Sequence, residues 1–152
     1  MIDKSNGIPM ANKTIDFYIN GIYIGSAVAD QNGVVKLNYT FKKAGNYQIF
    51  TKFNEIETQY GSNATNHTQV VKLPTITEIV VEGNKITVIL TDEYGNLLKN
   101  KEIIFRENGV VNGTGITNIN GQVTIYYKDA YKYKIIAIFI GDEKYYGSSD
   151  IT

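Results

Sequence analysis

The chain has 152 residues, a formal net charge of zero, no Cys, no Trp and a single His. Without Cys it cannot form a disulfide framework, a zinc finger or a thiol nucleophile, and one His is too few for an imidazole metal site. The balanced charge argues against a nucleic-acid partner, because proteins that bind nucleic acids usually carry a basic patch. No apolar run approaches the ~18 residues that a membrane-spanning helix needs. We therefore expect no nucleic-acid partner and no membrane span in this segment.

The first half of the chain shows repeated alternation of apolar and polar residues. Such alternation occurs over residues 15–19, 35–41 and 47–53, and residues 67–73 read as a strand that closes the sheet. A period of two is typical of strands with one buried and one solvated face. The Asn-Gly pairs between these segments favour tight hairpin turns, so this half is predicted to be all strand and turn.

The second half repeats this pattern after an additional strand pair. Residues 75–90 read as two strands joined by a Glu-Gly-Asn turn, and alternation returns over residues 103–105, 123–127 and 133–139. No segment has a helical period with caps. Short strands separated by turns every ~8–12 residues predict an antiparallel β-sandwich.

The two halves match each other residue by residue. Residues 12–21 align with residues 100–109 at an offset of 88, and after a two-residue slip near Lys42 the offset becomes 86. At these offsets the pair in residues 75–90 has no counterpart in the first copy, and the counterpart of residues 67–73 would lie past Thr152. The first repeat is therefore predicted to be truncated at its N-terminus and to lack its opening strands, and the second to lack its closing strand.

Pro74 marks the predicted boundary between the two copies. Proline cannot donate to a strand ladder and suits a crossing between domains. The predicted domains are residues 1–73 and residues 74–152.

Two tyrosines occupy equivalent places in the copies. Tyr47 and Tyr133 each begin a strand two residues before Ile49 and Ile135. That is the position of the tyrosine corner of immunoglobulin sandwiches, with Ile where antibody domains carry their second Cys. We expect each ring to be buried and each hydroxyl to bond a nearby backbone group.

Several motifs resemble those of a known group of domains. Residues 92–105 are similar to the "D-x-x-G-x-P-L-x-x-K-x-V-x-F" opening of bacterial Ig-like repeats, and residues 141–148 to their "G-D-x-x-Y-x-x-S" ending. The chain thus resembles tandem repeats of large adhesin-like surface proteins of bacteria and methanogenic archaea. The resemblance implies two tandem Ig-like β-sandwich domains, antiparallel and of Greek-key type, in an extracellular, cell-surface protein whose neighbouring repeats are their partners.

No constellation of catalytic residues is evident. His67 has no serine motif or carboxylate pair to act with, and Asp30, Asp92 and Asp142 lack the density of a Ca²⁺ loop and are expected to stabilise turns. We therefore expect no enzyme activity, no catalytic residue, no metal and no cofactor. The leading hypothesis is a structural spacer that holds a binding region away from the cell.

Two other functions stay open. Twelve Tyr residues include some that could stack on sugars or bind proteins, which would make the chain an adhesion module for host or microbial surface glycans or proteins. An accessory domain of a secreted hydrolase is the third hypothesis. Incomplete repeats would also leave open sheet edges, through which the chain could self-associate.

Five Asn-x-Thr sequons are candidate glycosylation sites in an exported protein. They begin at Asn12, Asn38, Asn63, Asn66 and Asn112. Asn63 and Asn66 are expected to lie in a polar loop, which makes them the preferred pair.

Overall fold

The fold consists of β-strands joined by short turns. The structure, a computed structural model, describes residues 1–3 and 6–152, with the backbone alone at Tyr131. The chain divides into two compact units, Met1–Val70 (unit 1) and Val71–Thr152 (unit 2). This division lies three residues before the predicted boundary, and the Leu73 amide donates to the Lys144 carbonyl, 3.0 Å away, within unit 2.

Unit 1 is one antiparallel sheet of four strands. The strands are β1 (Thr14–Ile19), β2 (Ile22–Val28), β3 (Gly45–Phe53) and β4 (Ser62–Val70), in the order β2-β1-β3-β4. Ile15 and Phe17 of β1 lie on the same face as Thr51 and Phe53 of β3, because successive side chains of a strand alternate. We call this apolar face the inner face of unit 1.

Unit 2 is a sandwich of two antiparallel sheets. Its strands are β5 (Thr75–Glu82), β6 (Lys85–Asp92), β7 (Glu102–Glu107), β8 (Val110–Ile116), β9 (Gln122–Tyr126), β10 (Ile135–Gly141) and β11 (Tyr146–Ile151). One sheet has the order β5-β6-β9 and the other β11-β10-β7-β8. The chain crosses between the sheets after β6, β8 and β9, and one turn of 3-10 helix, Ala130–Lys132, precedes β10. The antiparallel all-β sandwich predicted from the alternation is confirmed.

The hydrophobic core of unit 2 lies between its sheets. Ile86, Val88 and Leu90 of β6 are all 0% exposed, and they belong to one cluster with Phe105 and Phe139 of the facing sheet. Burying each such side chain contributes about 1.5–3 kcal/mol. Without disulfides, this burial is the main source of stability for the unit.

The four-stranded sheets of the two units have the same order. The order β2-β1-β3-β4 corresponds to β8-β7-β10-β11, strand for strand. A register shift interrupts the ladder between Phe17 and Tyr18 in unit 1 and between Phe105 and Arg106 in unit 2. The two shifts are 88 residues apart in the sequence, which is the offset at which the first halves of the two copies match.

The prediction of a strand at residues 35–41 is wrong. Residues 34–41 lie outside any strand, bridge or turn. In unit 2 the matching segment is β9, which is a strand because Val123 pairs with Val88 of β6. Unit 1 has no strand equivalent to β5 or β6 in residues 1–3 and 6–70, so the alternating residues have an apolar face but no ladder partner.

The closing strand begins earlier than the alternation indicated. β4 starts at Ser62 rather than at residue 67. β11 is its equivalent in the four-stranded sheet of unit 2, because Phe53 pairs with Ser62 as Phe139 pairs with Ser148. The closing strand of unit 2 is therefore present, with six residues against nine in β4. The start of β4 and the presence of β11 could not be predicted from alternation, because edge strands can be polar on their solvated side.

Candidate functional site

The first and last strands of unit 2 lie side by side. A parallel bridge joins Leu73 to Tyr145, and the Tyr146 amide donates to the Leu73 carbonyl at 2.9 Å. β5 and β11 belong to different sheets but run in the same direction from this bridge. We call the line of contacts between residues 73–79 and residues 145–150 the β5–β11 seam.

Hydroxyl groups extend the seam beyond the backbone bridge. The Thr75 hydroxyl lies 2.8 Å from both the Tyr146 carbonyl oxygen and Ser148 Oγ. Thr77 Oγ1 lies 2.7 Å from the same Ser148 Oγ, and Thr77 is 6% exposed. Since Thr75 and Thr77 are two residues apart, both hydroxyls face β11.

A carboxylate forms the far end of the seam. Asp150 Oδ2 accepts a hydrogen bond from the Ile79 amide at 2.9 Å, and its Oδ1 accepts one from the Ile151 amide at 2.9 Å. Hydrogen bonds to charged groups are among the stronger ones in proteins. The seam therefore has polar contacts along its whole length, from Leu73 to Ile79.

The Asp142 turn holds the near end of the seam. Asp142 Oδ1 accepts hydrogen bonds from the amides of Lys144 and Tyr145 at 2.8 and 2.9 Å, and Oδ2 pairs with the Lys101 ammonium. Burial opposes ionisation of Asp142, but the Lys101 contact and the two amides outweigh it and lower the pKa of the carboxyl. The Lys101 and Lys144 ammonium groups lie 5.0 and 5.2 Å from the Tyr145 ring centroid, within cation–π range.

Asp92 and Asp30 stabilise turns in the way that was expected. Asp92, which is 3% exposed, accepts hydrogen bonds from the Tyr94 amide and from the amide and side chain of Asn96. Burial opposes its ionisation, yet the Asn96 side chain and the two amides lower its pKa. Exposed Asp30 accepts from the amides of Asn32 and Val34 at 2.8 and 2.9 Å.

Acidic and imidazole side chains do not cluster in the described part of the chain. Residues 1–3 and 6–152 contain no group of three or more His, Cys, Asp or Glu side chains that could hold an ion. Oδ1 of Asp30 and both carboxylate oxygens of Asp92 and Asp142 accept hydrogen bonds from amide or ammonium donors instead.

Tyr47 has the geometry of a tyrosine corner. It lies at the start of β3, and its hydroxyl donates to the Lys43 carbonyl at 2.9 Å, four residues upstream. Its ring is half-buried and packs at 4.6 Å between centroids against Phe41.

Tyr133 differs from Tyr47. It lies just after the 3-10 turn, and the carbonyl four residues upstream, that of Asp129, accepts the Lys132 amide instead. The Tyr133 ring is 40% exposed and packs edge-on against Tyr127 at 5.6 Å. In unit 2 the carbonyl equivalent to that of Lys43 is therefore engaged by the 3-10 turn.

The sequon residues are all exposed, but two lie where a loop was predicted. Asn63 and Asn66 are in β4, paired with Lys52 and Ile49, so the expected polar loop is a strand. Polar residues are tolerated there because β4 is the edge of its sheet. Exposed His67 lies between them and Val70 in the same strand. Asn12, Asn38 and Asn112 are exposed elsewhere on the chain.

An aromatic cluster occupies the outer face of unit 1. Tyr18 packs against Tyr23 at 5.6 Å and against Phe50 at 5.7 Å between ring centroids, and Tyr23 is 55% exposed. We call these three residues the outer aromatic cluster. The residues at the matching positions of unit 2 are Arg106, Val111 and Ile136, so the cluster is a property of unit 1 alone.

One carboxylate of unit 2 lines a shallow groove. The groove has a volume of about 300 Å³, and Glu107 is the single acid among its described lining residues. The Tyr127 hydroxyl donates to Glu107, and this hydrogen bond raises the pKa of the phenol. A hydrolytic acid–base pair needs a second carboxylate or another base facing the first, which this groove does not supply in the described residues.

The comparisons with known proteins leave the family open. No family model matches the chain, and no curated protein matches it. Among solved structures, a β-glucuronidase of Bacteroides uniformis is 14% identical with a TM-score of 0.35, over 96% of this chain and 23% of that chain. A β-glucuronidase of Parabacteroides merdae is 13% identical with a TM-score of 0.32, over 93% of this chain and 21% of that one. The chain thus spans under a quarter of these enzymes, and likenesses this low carry no argument about fold or activity.

None of the helical structure in the described residues is long and apolar enough to cross a membrane.

The sequence does not predict the seam. No recognisable motif is formed by Thr75, Thr77, Ser148 and Asp150. Pro74, which lies beside Thr75 in the sequence, predicts a domain boundary instead. The available signal was the spacing of two: polar residues at 75 and 77 and again at 148 and 150 share one face of their strands. Which strands would meet through those faces depends on the tertiary fold.

Proposed function

We propose that the chain is a pair of Ig-like repeats that serve as a non-catalytic spacer in an extracellular, adhesin-like surface protein. The observation that carries this proposal is the β5–β11 seam. It joins the first and last strands of unit 2 in parallel, with contacts from Leu73 to Ile79. A spacer is loaded through its ends, and in this unit the ends enter the two strands of the seam.

The direction of the strands decides how the seam responds to tension. Pulling on residue 71 and residue 152 draws β5 and β11 in opposite directions along their own axes. The backbone bridge, the hydroxyl contacts and the Asp150 contact are then strained together rather than one after another. Forced unfolding is governed by the unfolding rate, which such simultaneous loading keeps low.

The repeat proposal rests on matched backbone features. Asn12 and Asn100 have φ values of 56° and 58°, and Asn20 and Asn108 have values of 49° and 48°. Left-handed backbone is uncommon for residues other than Gly, so its recurrence at one offset supports duplication of a single module. Neighbouring repeats of the same kind are the proposed partners in the parent protein.

Pulling single molecules from both ends tests the proposal. We expect unit 2 to unfold as one event that releases roughly 25–30 nm of chain, at a higher force than unit 1. Thr77→Val removes a seam hydroxyl at nearly constant volume, and it should lower the unfolding force of unit 2.

A matched variant provides the control. Thr124→Val removes the hydroxyl that lies 3.3 Å from Thr87 Oγ1 within the β5-β6-β9 sheet, away from the seam. It should leave the force unchanged. Unfolding of both units at the same low force, or equal effects of the two variants, would contradict the spacer proposal.

The outer aromatic cluster favours a second function, adhesion to carbohydrate or protein. Exposed Tyr rings can stack on sugars and are frequent at protein interfaces. A glycan array and a cell-binding assay test this function. Binding that is lost in Tyr23→Ala but kept in Tyr126→Ala, a change to a 79% exposed Tyr of unit 2, would favour adhesion over a pure spacer. The hydrolase-accessory hypothesis stays a prediction.

In the proposed extracellular location, the five exposed sequon Asn side chains would be accessible to glycosylation. Expression in a glycosylating host should add mass that falls when Asn63→Gln and Asn66→Gln are combined. Self-association through edge strands such as β4 also stays a proposal, which light scattering at high concentration tests.

A further inference from the structure

The inner face of unit 1 carries an uncovered groove. The groove has a volume of about 580 Å³, and its floor includes Ile15, Phe17, Thr51 and Phe53. Val35, which belongs to the segment outside any strand, also lines it. The lining side chains are uncharged. The charge at the groove is the Met1 amino group, whose hydrogens are donated to the Gly33 carbonyl.

In unit 2 the equivalent face is covered by β6. Phe105, the counterpart of Phe17, is 1% exposed, whereas Phe17 is only half-buried. Ile15 and Phe53 of the groove are themselves buried, at 8% and 5% exposed, so the difference between the units is concentrated at Phe17. The side chains that cover the face in unit 2 are those of Ile86, Val88 and Leu90.

The backbone beside this groove is open as well. In unit 2, β9 pairs with β6 through Val88–Val123 and Ile86–Ile125. The counterparts of Val123 and Ile125 in unit 1 are Val35 and Leu37, which lie outside any strand in the described chain. A strand that entered the groove could therefore pack on apolar side chains and also form backbone hydrogen bonds with residues that belong to no strand.

The first residues of unit 1 show where that strand would run. The Met1 amino group donates to the Gly33 carbonyl, as the Leu90 amide donates to Gly121. The Met10 amide donates to the Met1 carbonyl at 3.2 Å, as the Leu98 amide donates to Leu90 at 3.0 Å. Met1 thus occupies the place of Leu90, the inward residue near the end of β6.

Glycine makes this approach possible at both places. Gly33 and Gly121 have φ values of 70° and 66°, and a Cβ on either would meet the carbonyl oxygen of Met1 or Leu90 at 2.3 or 2.8 Å. The same close backbone contact therefore fixes the same strand path in the two units.

We propose that the inner face of unit 1 is a docking surface for an antiparallel β-hairpin of the β5–β6 type, with small and branched apolar side chains at every second position. The hairpin pairs its second strand with residues 34–38 and places its apolar side chains over Phe17 and Thr51. Strand addition with alternate side chains in pockets is a recurrent mode of recognition. The proposal is independent of the spacer function, since it concerns completion of a sheet and not response to force.

A graft on the full chain tests the proposal. A second copy of residues 75–89 is placed directly before Met1, so that Met1 follows it as Leu90 follows Ile89 in unit 2. We expect backbone amides of β1, β3 and residues 34–38 to exchange with deuterium roughly tenfold more slowly or better, with unit 2 unchanged. The matched control carries Ile86→Asp and Val88→Asp in the grafted copy alone, and it should give no such protection.

A peptide of residues 75–92, added to the ungrafted chain, tests the same surface in trans. Saturable protection of unit 1 by this peptide, absent with the two-Asp peptide, supports the proposal. Equal exchange in the graft and its Asp control would overturn it. A concentration-dependent dimer of the ungrafted chain with the same unit 1 amides protected would also overturn it, because the occupant would then be a second copy.

Discussion

Unit 1 and unit 2 have the same four-stranded sheet, yet only unit 2 has a second sheet over it in the described residues. Phe17 and Phe105 begin equivalent bulges, but Phe105 is 1% exposed and Phe17 is half-buried. The difference shows that strand order and turn geometry can be specified without a second sheet. What the second sheet adds is burial, and burial is the larger part of stability.

The largest expected effect comes from truncating the two equivalent phenylalanines. Phe105→Ala should destabilise unit 2 by about 3–5 kcal/mol, because it leaves a cavity between two sheets. Phe17→Ala should cost unit 1 about half as much or less, since its ring already meets solvent on one side. Hydrogen exchange under increasing denaturant separates the two units, and equal losses would remove the distinction between closed and open faces.

The next effect distinguishes the units by pH. The folded pKa values of Asp92 and Asp142 are lowered, so their stabilisation is complete above the unfolded value and is lost as the pH falls through the folded values. Unit 2 should therefore weaken on acidification below about pH 4. Asp142→Asn should cost about 1–2 kcal/mol at neutral pH and flatten this dependence. Thermal unfolding from pH 7 to pH 2 measures it, and an unchanged profile in the variant would contradict the assignment.

A smaller effect separates the two tyrosines. Tyr47→Phe removes the hydrogen bond to Lys43 and should destabilise unit 1 by about 0.5–1 kcal/mol. Tyr133→Phe should leave unit 2 within about 0.5 kcal/mol of the parent chain, because its hydroxyl makes no corner bond. Denaturant unfolding of both variants checks the pair, and a larger loss in Tyr133→Phe would show that the corner lies in unit 2.

The smallest effect tests whether the turns of the two units are interchangeable. Asp30 accepts hydrogen bonds from the amides of Asn32 and Val34, and Asn118 of unit 2 accepts the equivalent pair from Asn120 and Gln122. Asp30→Asn should therefore change the stability of unit 1 by less than about 0.5 kcal/mol. A clear loss, measured by the same unfolding assay, would mean that the charge has a role beyond the turn.

The sequence predicted the fold class and the matched turns because both depend on local chemistry. The Asn-Gly pair at residues 20–21 and its copy at 108–109 specify tight turns. Alternation at residues 15–19 specifies a strand with one apolar and one polar face. It failed at residues 35–41, since a strand also needs a partner at its edge. It also placed the closing strand at residues 67–73 rather than at Ser62–Val70, because the polar first half of β4 carries no alternation.

The seam and the Lys101–Asp142 ion pair could not be predicted for a related reason. Lys101 and Asp142 are distant in sequence, and so are Thr77 and Ser148. Their pairing follows from the order of strands in two sheets. Only the roles of Asp30, Asp92 and Asp142 in turns were predicted, because an Asx turn is completed by residues two to four positions away.

Amide hydrogen exchange of the unmodified chain at neutral pH tests the central comparison most directly. Amides of β7 and β10 should exchange more slowly than the matched amides of β1 and β3, because opening unit 2 exposes a closed core and opening unit 1 exposes a single sheet. Equal protection at matched positions would contradict the account, since it would mean that the inner face of unit 1 is covered in solution as completely as that of unit 2.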